Sequence, residues 1–157
     1  MSTDASSATS TKTAEPGMVD MGLEVVTLPV ADVDRSKAFY QGLGWRLDAD
    51  IVAGDAFRVV QFTPPHSQCS IHFGKGLTSS TPGSADRLIL AVKNIDDASE
   101  ELKSRGVDVS DVQDMHPPGA DPAVRSYFLY AGFKDPDGNG WLLQEITERL
   151  PGREWED

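Results

Sequence analysis

The sequence predicts an α+β protein in which one unit, a strand followed by a helix and three further strands (βαβββ), is used twice. The main observation is a repeat, because residues 28–35 match residues 90–97 at an offset of 62. Each copy continues into a helical pattern and then three short apolar-rich stretches, as expected for strands. The last stretch follows residues 135–139, Asp-Pro-Asp-Gly-Asn, a run of residues that favour tight turns. Internal similarity of this kind is a stronger indication of architecture than any single motif.

The composition is that of a soluble globular protein. Of 157 residues, 39% are hydrophobic and 25% are charged, which is typical of one compact domain with a sizeable core. No apolar run is long enough to span a membrane, and the N-terminus lacks the pattern of a secretory signal. The single cysteine, Cys69, excludes an internal disulfide and a zinc cluster built on cysteines. We therefore expect a cytoplasmic protein with no membrane partner.

The charge of the chain excludes one class of partner and weakly favours another. The formal net charge of −11 argues against nucleic-acid binding, which requires basic surfaces. Residues 76–147 hold twelve acidic and six basic side chains. Solubility explains this excess adequately. Binding of a cationic ligand is a more specific explanation, but the charge distribution supports it less strongly.

Both ends of the chain are predicted to lie outside the folded domain. Eleven of the first fourteen residues are Ser, Thr or Ala, without periodicity. Such a segment buries too little apolar surface to offset its ordering entropy, so residues 1–20 are predicted to be disordered. Residues 148–157 are predicted to be a second loose tail. The domain itself is expected to span residues 21–147.

The first module is predicted to span residues 21–75. Its helix has Asp34 as the predicted N-cap, an apolar face that includes Tyr40 and Leu43, and Gly44 as a left-handed C-terminal cap. A strand precedes this helix. Three predicted strands follow it, over residues 45–53, 57–63 and 69–73.

The second module is predicted to span residues 84–147. Asp96 is its predicted N-cap, Ala98 and Leu102 lie on the apolar face of its helix, and Gly106 is the corresponding C-terminal cap. The strands after this helix are predicted over residues 107–112, 126–133 and 141–146. A Gly- and Pro-containing linker joins the two modules.

These features resemble a known family. Three features are similar to the vicinal-oxygen-chelate superfamily: the paired βαβββ modules, the pattern Leu-Pro-Val-x-Asp-Val-Asp-Arg-Ser-x-x-Phe-Tyr in residues 28–40, and the closing Asp-Pro-Asp-Gly-Asn turn. That superfamily includes glyoxalase I, bleomycin-resistance proteins and extradiol dioxygenases. The resemblance covers residues 22–147. It implies that each module curls into a half-open cup, so that a cupped mixed sheet surrounds one cavity, and that the chain forms a homodimer.

The resemblance also shows which positions of the sequence to inspect for a metal site. In metal-dependent members, a His on the first strand and a Glu on the last strand of each module bind a divalent ion. Counting from the matched motifs places these positions on Val25, Ser70, Arg87 and Leu142. None of these residues is a usual ligand of a catalytic divalent metal. We therefore expect no cofactor and no metal of the family's usual kind.

Strand alternation predicts three candidate residues facing the cavity in the first module. Thr27 and Ser70 are candidates for ligand binding. His72 alternates with apolar neighbours and is the best candidate for a catalytic residue, as a general base. The alternative, a hydrogen-bonded structural histidine without a catalytic role, is the simpler interpretation.

Three further candidates for ligand binding lie in the second module. Arg87 could bind a carboxylate or phosphate of a ligand, or could form a salt bridge to the adjacent Asp86. Gln144 could orient a polar ligand or satisfy a cross-strand partner. Tyr130 is predicted to line the cavity. Glu145 lies on the opposite face of its strand and is not expected to reach a ligand.

A Pro-rich loop, residues 115–122, is too long to be a simple connector. Loops of this kind often act as lids over binding sites. It carries His116, for which an ordinary loop-surface role is the simpler interpretation.

Three functional hypotheses follow. The first is binding of a small molecule in the cavity without the family's metal site. The alternative is a lyase, isomerase or dioxygenase that uses a relocated metal site or His72 as a base. A structural or regulatory domain is the third, and it predicts no cavity large enough for a ligand. Metal analysis and ligand screening separate these hypotheses.

Overall fold

The computed structural model describes residue 15, residues 17–150, and residues 153 and 155. Residues Leu23–Thr147 form one compact unit, and the described residues outside it belong to a separate one. The predicted tails, 1–20 and 148–157, lie in large part outside the described residues. The predicted domain limits of 21–147 therefore stay a prediction.

Two helices and eight strands make up the folded unit. In chain order they are β1 (Val25–Thr27), α1 (Val33–Gly42), β2 (Arg46–Ala53), β3 (Phe57–Thr63), β4 (Ser70–Lys75), β5 (Leu88–Val92), α2 (Ile95–Ser104), β6 (Gln113–Asp114), β7 (Leu129–Lys134) and β8 (Gly140–Glu145). Neither of these described helices is long and apolar enough to cross a membrane.

The strands form two sheets with the same arrangement. The order is β1-β4-β3-β2 in the first sheet and β5-β8-β7-β6 in the second. β1 runs parallel to β4 and β5 parallel to β8, while the other neighbours are antiparallel. The predicted α+β fold with mixed sheets is confirmed. Both sheets are open and do not close into a barrel.

The N-caps of both helices lie two residues before the predicted ones. Asp32 and Asn94 are the N-caps, and their side chains accept hydrogen bonds from the backbone N–H groups of Arg35 and Asp97. Each cap has an extended backbone, which places its oxygen next to the free N–H groups of the first turn. The predicted caps, Asp34 and Asp96, lie inside that turn, where their charge still interacts favourably with the helix dipole.

The same faces of both sheets pack into one hydrophobic core. Tyr40 of α1 lies at its centre, with ring centroids 5.6 Å from Phe73 of the first sheet and 6.2 Å from Trp141 of the second. Trp45 packs edge-on against Trp141 at 5.2 Å. Since the helix-side faces meet in this core, the opposite faces of the two sheets point away from it. We call these opposite faces the outer faces.

The Asp-Pro-Asp-Gly-Asn turn joins the two modules. The Asp135 carboxylate accepts a hydrogen bond from the Tyr40 hydroxyl at 2.8 Å, and the Asn139 side-chain amide donates to the Pro29 carbonyl at 2.9 Å. Asp137 accepts from Arg35 at 3.0 Å. Burial, and then the neighbouring Asp135 charge, raise the pKa of Tyr40 far above its usual range, so its hydroxyl stays protonated and donates. The turn therefore acts as a clamp between the two modules, in addition to reversing the chain between β7 and β8.

The second module differs from prediction after α2. The predicted strand over 107–112 is not formed, and β6 contains only Gln113–Asp114. Residues 126–128 form turns before β7, and Tyr127 has a positive φ of 74°. Three prolines in residues 117–122 remove backbone donors, so this segment cannot extend a ladder of hydrogen bonds.

Candidate functional site

The outer face of the first sheet carries a pair of polar side chains from neighbouring strands. Thr27 and His72 are directly opposite in the parallel β1–β4 ladder, and the Thr27 hydroxyl lies 2.6 Å from Nε2 of His72. Burial lowers the pKa of His72, so the imidazole is neutral at pH 7. A neutral imidazole can accept a proton, although its Nε2 atom is already engaged by Thr27.

Ser70 lies on the same outer face but belongs to a different hydrogen-bond chain. Its hydroxyl lies 2.6 Å from the Thr63 hydroxyl, and Thr63 also donates to the Asp48 carboxylate. His72 bonds Thr27 instead of Ser70. Ser70 and Thr63 are buried, whereas Thr27 and His72 are half-buried, and the arrangement does not assemble a Ser-His nucleophile.

On the outer face of the second sheet, Gln144 makes a cross-strand contact. Its side-chain amide donates to the Tyr130 hydroxyl at 2.6 Å and to the Tyr127 carbonyl at 2.9 Å. Tyr130 is the residue opposite Gln144 in the β7–β8 ladder. The two predicted ligand-binding residues are therefore brought together, and they are linked to the loop that precedes β7.

A cavity of about 610 Å³ opens beside these residues on the second sheet. Its lining includes Leu142 and two glycines, Gly132 of β7 and Gly140 of β8. Arg87, predicted from the sequence, lies at this cavity with a positive φ of 56°. The remaining lining residues are Asp86, Asp108, Ser110, Phe133, Lys134 and Trp141.

Lys134 was not predicted from the sequence. It is opposite Gly140 in the β7–β8 ladder and lines the cavity. Alternation along β7 could have found it, because Tyr130, Gly132 and Lys134 share one face of a strand with period two. The predicted strand ended one residue earlier, at Phe133, and so omitted it.

The residues at the predicted metal positions do not fit a metal ion. Val25 is opposite Ser70 in the first sheet. In the second sheet Leu142 is opposite Ile89, and Arg87 precedes β5 with a positive φ of 56°. Neither pair offers the carboxylate or imidazole donors that such a site requires. Within the described part of the chain, no group of three or more His, Cys, Asp or Glu side chains could hold a metal ion.

Glu145 lies on the core side, as the alternation predicted. Its carboxylate accepts from the backbone N–H of Ile95 at 3.1 Å, at the start of α2, and from Arg125 at 2.8 Å. The Arg125 guanidinium holds the pKa of this carboxyl below its usual range. Glu145 is thus occupied in fixing α2 and the loop that carries Arg125.

His116 holds the Pro-rich loop in place. Its Nδ1 atom contacts the Asp114 carboxylate, its Nε2 atom contacts the Val124 carbonyl, and its ring packs on Phe128 at 4.5 Å. The contact with Val124, followed by that with Asp114, raises the pKa of His116. The sequence-based interpretation of His116 as ordinary loop surface misses this role, because both partners depend on the loop's conformation.

The predicted site residues therefore form two groups on separate sheets. Thr27, Ser70 and His72 lie on the outer face of the first sheet. Arg87, Tyr130 and Gln144 lie on the outer face of the second or at its edge. The open sheets leave each group on its own face of the chain.

Comparisons with known proteins identify a family with this architecture. The model of the Glyoxalase/Bleomycin resistance protein/Dioxygenase superfamily matches residues 22–143. No curated protein matches the chain.

Several solved structures share the fold. TnmS3, an antibiotic binding protein from Streptomyces sp. CB03234, is 28% identical with a TM-score of 0.64, over 83% of this chain and 99% of that one. A glyoxalase/bleomycin resistance protein from the same organism is 29% identical with a TM-score of 0.60, over 78% and 99%. A superfamily member from Sphaerobacter thermophilus DSM 20745 is 27% identical with a TM-score of 0.59, over 80% and 98%. With the family match, the two four-stranded sheets and the joining turn all in agreement, this chain belongs to the glyoxalase/bleomycin resistance protein/dioxygenase superfamily.

Proposed function

We propose that this protein binds a small organic molecule on the outer faces of its sheets, in the manner of a resistance or sequestration protein. The observation that carries the proposal is the cavity of about 610 Å³ on the second sheet. Its volume lies within the roughly 300–1,000 Å³ typical of small-molecule sites, and a few polar groups converge on an apolar floor. The similarity to TnmS3, an antibiotic binding protein, supports the same class of function.

We propose further that binding does not use the family's usual metal ion. The support is the chemistry of the side chains at the paired positions, Val25 with Ser70 and Ile89 with Leu142. A hydroxyl and three aliphatic groups provide no strong donor set for a divalent ion. A ligand would instead be held by hydrogen bonds, charge and apolar contact.

A cytoplasmic homodimer is the assembly that this proposal favours. The outer faces are open within one chain, and they expose apolar side chains such as Ile51 and Ile89. A second copy placed against these faces would cover them and would enclose the ligand more fully. Members of the resembled family often pair their modules between chains.

The proposal is tested by a thermal-shift screen against a library of natural-product antibiotics and metabolites, because a ligand that binds only the folded state raises the melting temperature. We expect stabilising hits in protein whose metal content has been measured as substoichiometric. The matched control is the variant Gly132→Leu, whose new side chain would project from β7 into the cavity beside Leu142. Hits that bind this variant equally well, or a screen without any hit, would contradict the proposal.

A second candidate function is an enzyme, a lyase, isomerase or dioxygenase, that uses His72 as a base or as a ligand of a relocated metal. The neutral, half-buried imidazole beside Thr27 favours it. A stoichiometric divalent ion that is lost in His72→Ala would establish the relocated metal site and would overturn the proposal of binding without a metal ion. Turnover of a screening hit that His72→Asn abolishes, with binding retained, would establish the base.

A further inference from the structure

We propose that the ligand of the second-sheet cavity is zwitterionic, with an anionic group that meets Arg87 and Lys134 and a cationic group that meets Asp86 and Asp108. This inference rests on the proposed small-molecule function and names the chemical class of the ligand. It is carried by four charged side chains, two of each sign, that line one cavity.

The two cations come from the two neighbours of strand β8. Lys134 is the last residue of β7 and is opposite Gly140 in the β7–β8 ladder. On the other side, Arg87 immediately precedes β5, whose first residue, Leu88, is opposite Trp141. The two basic residues therefore line the cavity from the two chain segments on either side of β8.

The first acid lies next to Gly140. A Cβ atom built on this glycine would be 2.4 Å from Oδ1 of Asp86, so the carboxylate lies directly over this part of β8. The second acid, Asp108, lines the same cavity from the segment after α2. The charges of opposite sign are thus placed along one end of the outer face.

None of the four charged groups has an ion-pair partner among the described residues. Elsewhere in the described chain, charged side chains pair readily, as Arg58 does with both Asp34 and Asp50. Arg87, Lys134, Asp86 and Asp108 form no such salt bridge, although they share one cavity. Each of them can therefore meet a ligand group without breaking an existing pair.

Charge balance distinguishes a zwitterion from a ligand with a single charge. The four groups sum to zero, whereas the whole chain carries a formal charge of −11 and repels simple anions. A purely anionic ligand would leave the acids without a partner, and a purely cationic ligand would leave the bases without one. An exposed charge pair contributes up to about 1 kcal/mol, or about fivefold in affinity, so loss of either group should be measurable.

The test uses three probes that share a phenyl ring and differ in charge. L-Phenylalanine carries both charges, 3-phenylpropionate lacks the ammonium group, and 2-phenylethylamine lacks the carboxylate. Binding to the full chain is followed by amide NMR, at the signals of Gly132, Gly140 and Leu142. We expect phenylalanine to bind about fivefold more tightly than each analogue.

Two double variants assign the charges. Arg87→Gln with Lys134→Gln should bind phenylalanine and 2-phenylethylamine equally, because the carboxylate no longer has a partner. Asp86→Asn with Asp108→Asn should bind phenylalanine and 3-phenylpropionate equally, for the corresponding reason. Lys103→Gln and Glu100→Gln, on the exposed face of α2, are the controls and should keep the original preference.

The outcomes separate this inference from the proposed function. Equal binding of the three probes to the unmodified protein, or tighter binding of either analogue than of phenylalanine, overturns the zwitterion inference and leaves small-molecule binding intact. Absence of cavity shifts with all three probes also overturns it. If the ligand screen described above then yields no hit, the proposed function fails as well.

Discussion

At the scale of single residues, the buried carboxylate of Asp135 organises the contact between the modules. It accepts hydrogen bonds from the Tyr40 hydroxyl at 2.8 Å and from the Asn139 side-chain amide at 2.8 Å. The Tyr40 oxygen in turn accepts from the indole N–H of Trp141 at 3.1 Å. One carboxylate and one hydroxyl thus satisfy donors from both modules in the core, where an unsatisfied group is costly.

Tyr40→Phe should lower the free energy of unfolding by about 1–3 kcal/mol, because it removes one hydrogen bond from the buried Asp135 carboxylate and leaves the buried indole N–H of Trp141 without its acceptor. The ring and its packing are retained, so the loss reports the hydroxyl alone. Urea unfolding followed by tryptophan fluorescence measures it. Asp111→Ala, at an exposed position, is the control and should change stability by less than about 0.5 kcal/mol. A Tyr40→Phe protein as stable as the control would contradict the role of the turn as a clamp.

Glu145→Gln should remove part of the acid sensitivity of the fold. The Arg125 guanidinium lowers the pKa of Glu145 in the folded state, so the stabilisation is present above the unfolded-state pKa and is lost as pH falls through the folded-state pKa. The unmodified protein should therefore lose more stability than the variant between about pH 5 and pH 3. Urea midpoints measured across this range check the difference. Parallel pH profiles of the two proteins would exclude the pairing.

At the scale of elements, the Pro-rich loop depends on the protonation of one side chain. Both partners of the His116 ring, the Asp114 carboxylate and the Val124 carbonyl, accept hydrogen bonds and cannot donate them. Only the imidazolium has two N–H donors, so both contacts are hydrogen bonds only when His116 is protonated. The loop connects to the outer face through the Tyr127 carbonyl, which accepts from Gln144. The hydrogen bonds that hold this loop therefore depend on the protonation of His116.

We expect the loop to be held below the raised pKa of His116 and to loosen as pH increases through it. The raised pKa is caused by Val124 and Asp114, with a smaller contribution from the charge of Asp121. Amide exchange at Val124 and Tyr127, corrected for the intrinsic pH dependence, measures the opening. His116→Gln should abolish this pH dependence, whereas His66→Asn, at an exposed turn, should preserve it. Identical exchange profiles in all three proteins would show that His116 does not hold the loop.

At the scale of the whole molecule, the sequence predicts local order well and the meeting of surfaces poorly. Strand alternation predicted that Thr27 and His72 face away from the helix side and that Glu145 lies on the other face of its strand, because period two is a local property of the chain. It could not fix the register of β1 against β4, which brings Thr27 next to His72, or that of β5 against β8, which sets Leu142 opposite Ile89. Register between distant strands depends on hydrogen bonds that no local pattern encodes. The same reason explains why one enclosed cavity was predicted, whereas the structure has two open outer faces on either side of one core.

These open outer faces make the oligomeric state the decisive property of the whole molecule. Ile89, on the outer face of the second sheet, is 47% exposed in the single chain, and Ile51, on the first, is 55% exposed. If a second copy covers these faces, Ile89→Lys would bury an unpaired ammonium group, which is strongly unfavourable. We expect the dimer dissociation constant to rise by tenfold or more, about 1.4 kcal/mol. Analytical ultracentrifugation over a concentration series measures it.

Val52→Lys supplies the control, because Val52 is 65% exposed but points to the opposite side of β2 from Ile51. A protein that is monomeric at every concentration, or a dimer that both lysine variants weaken equally, would contradict the prediction that a second copy covers the outer faces.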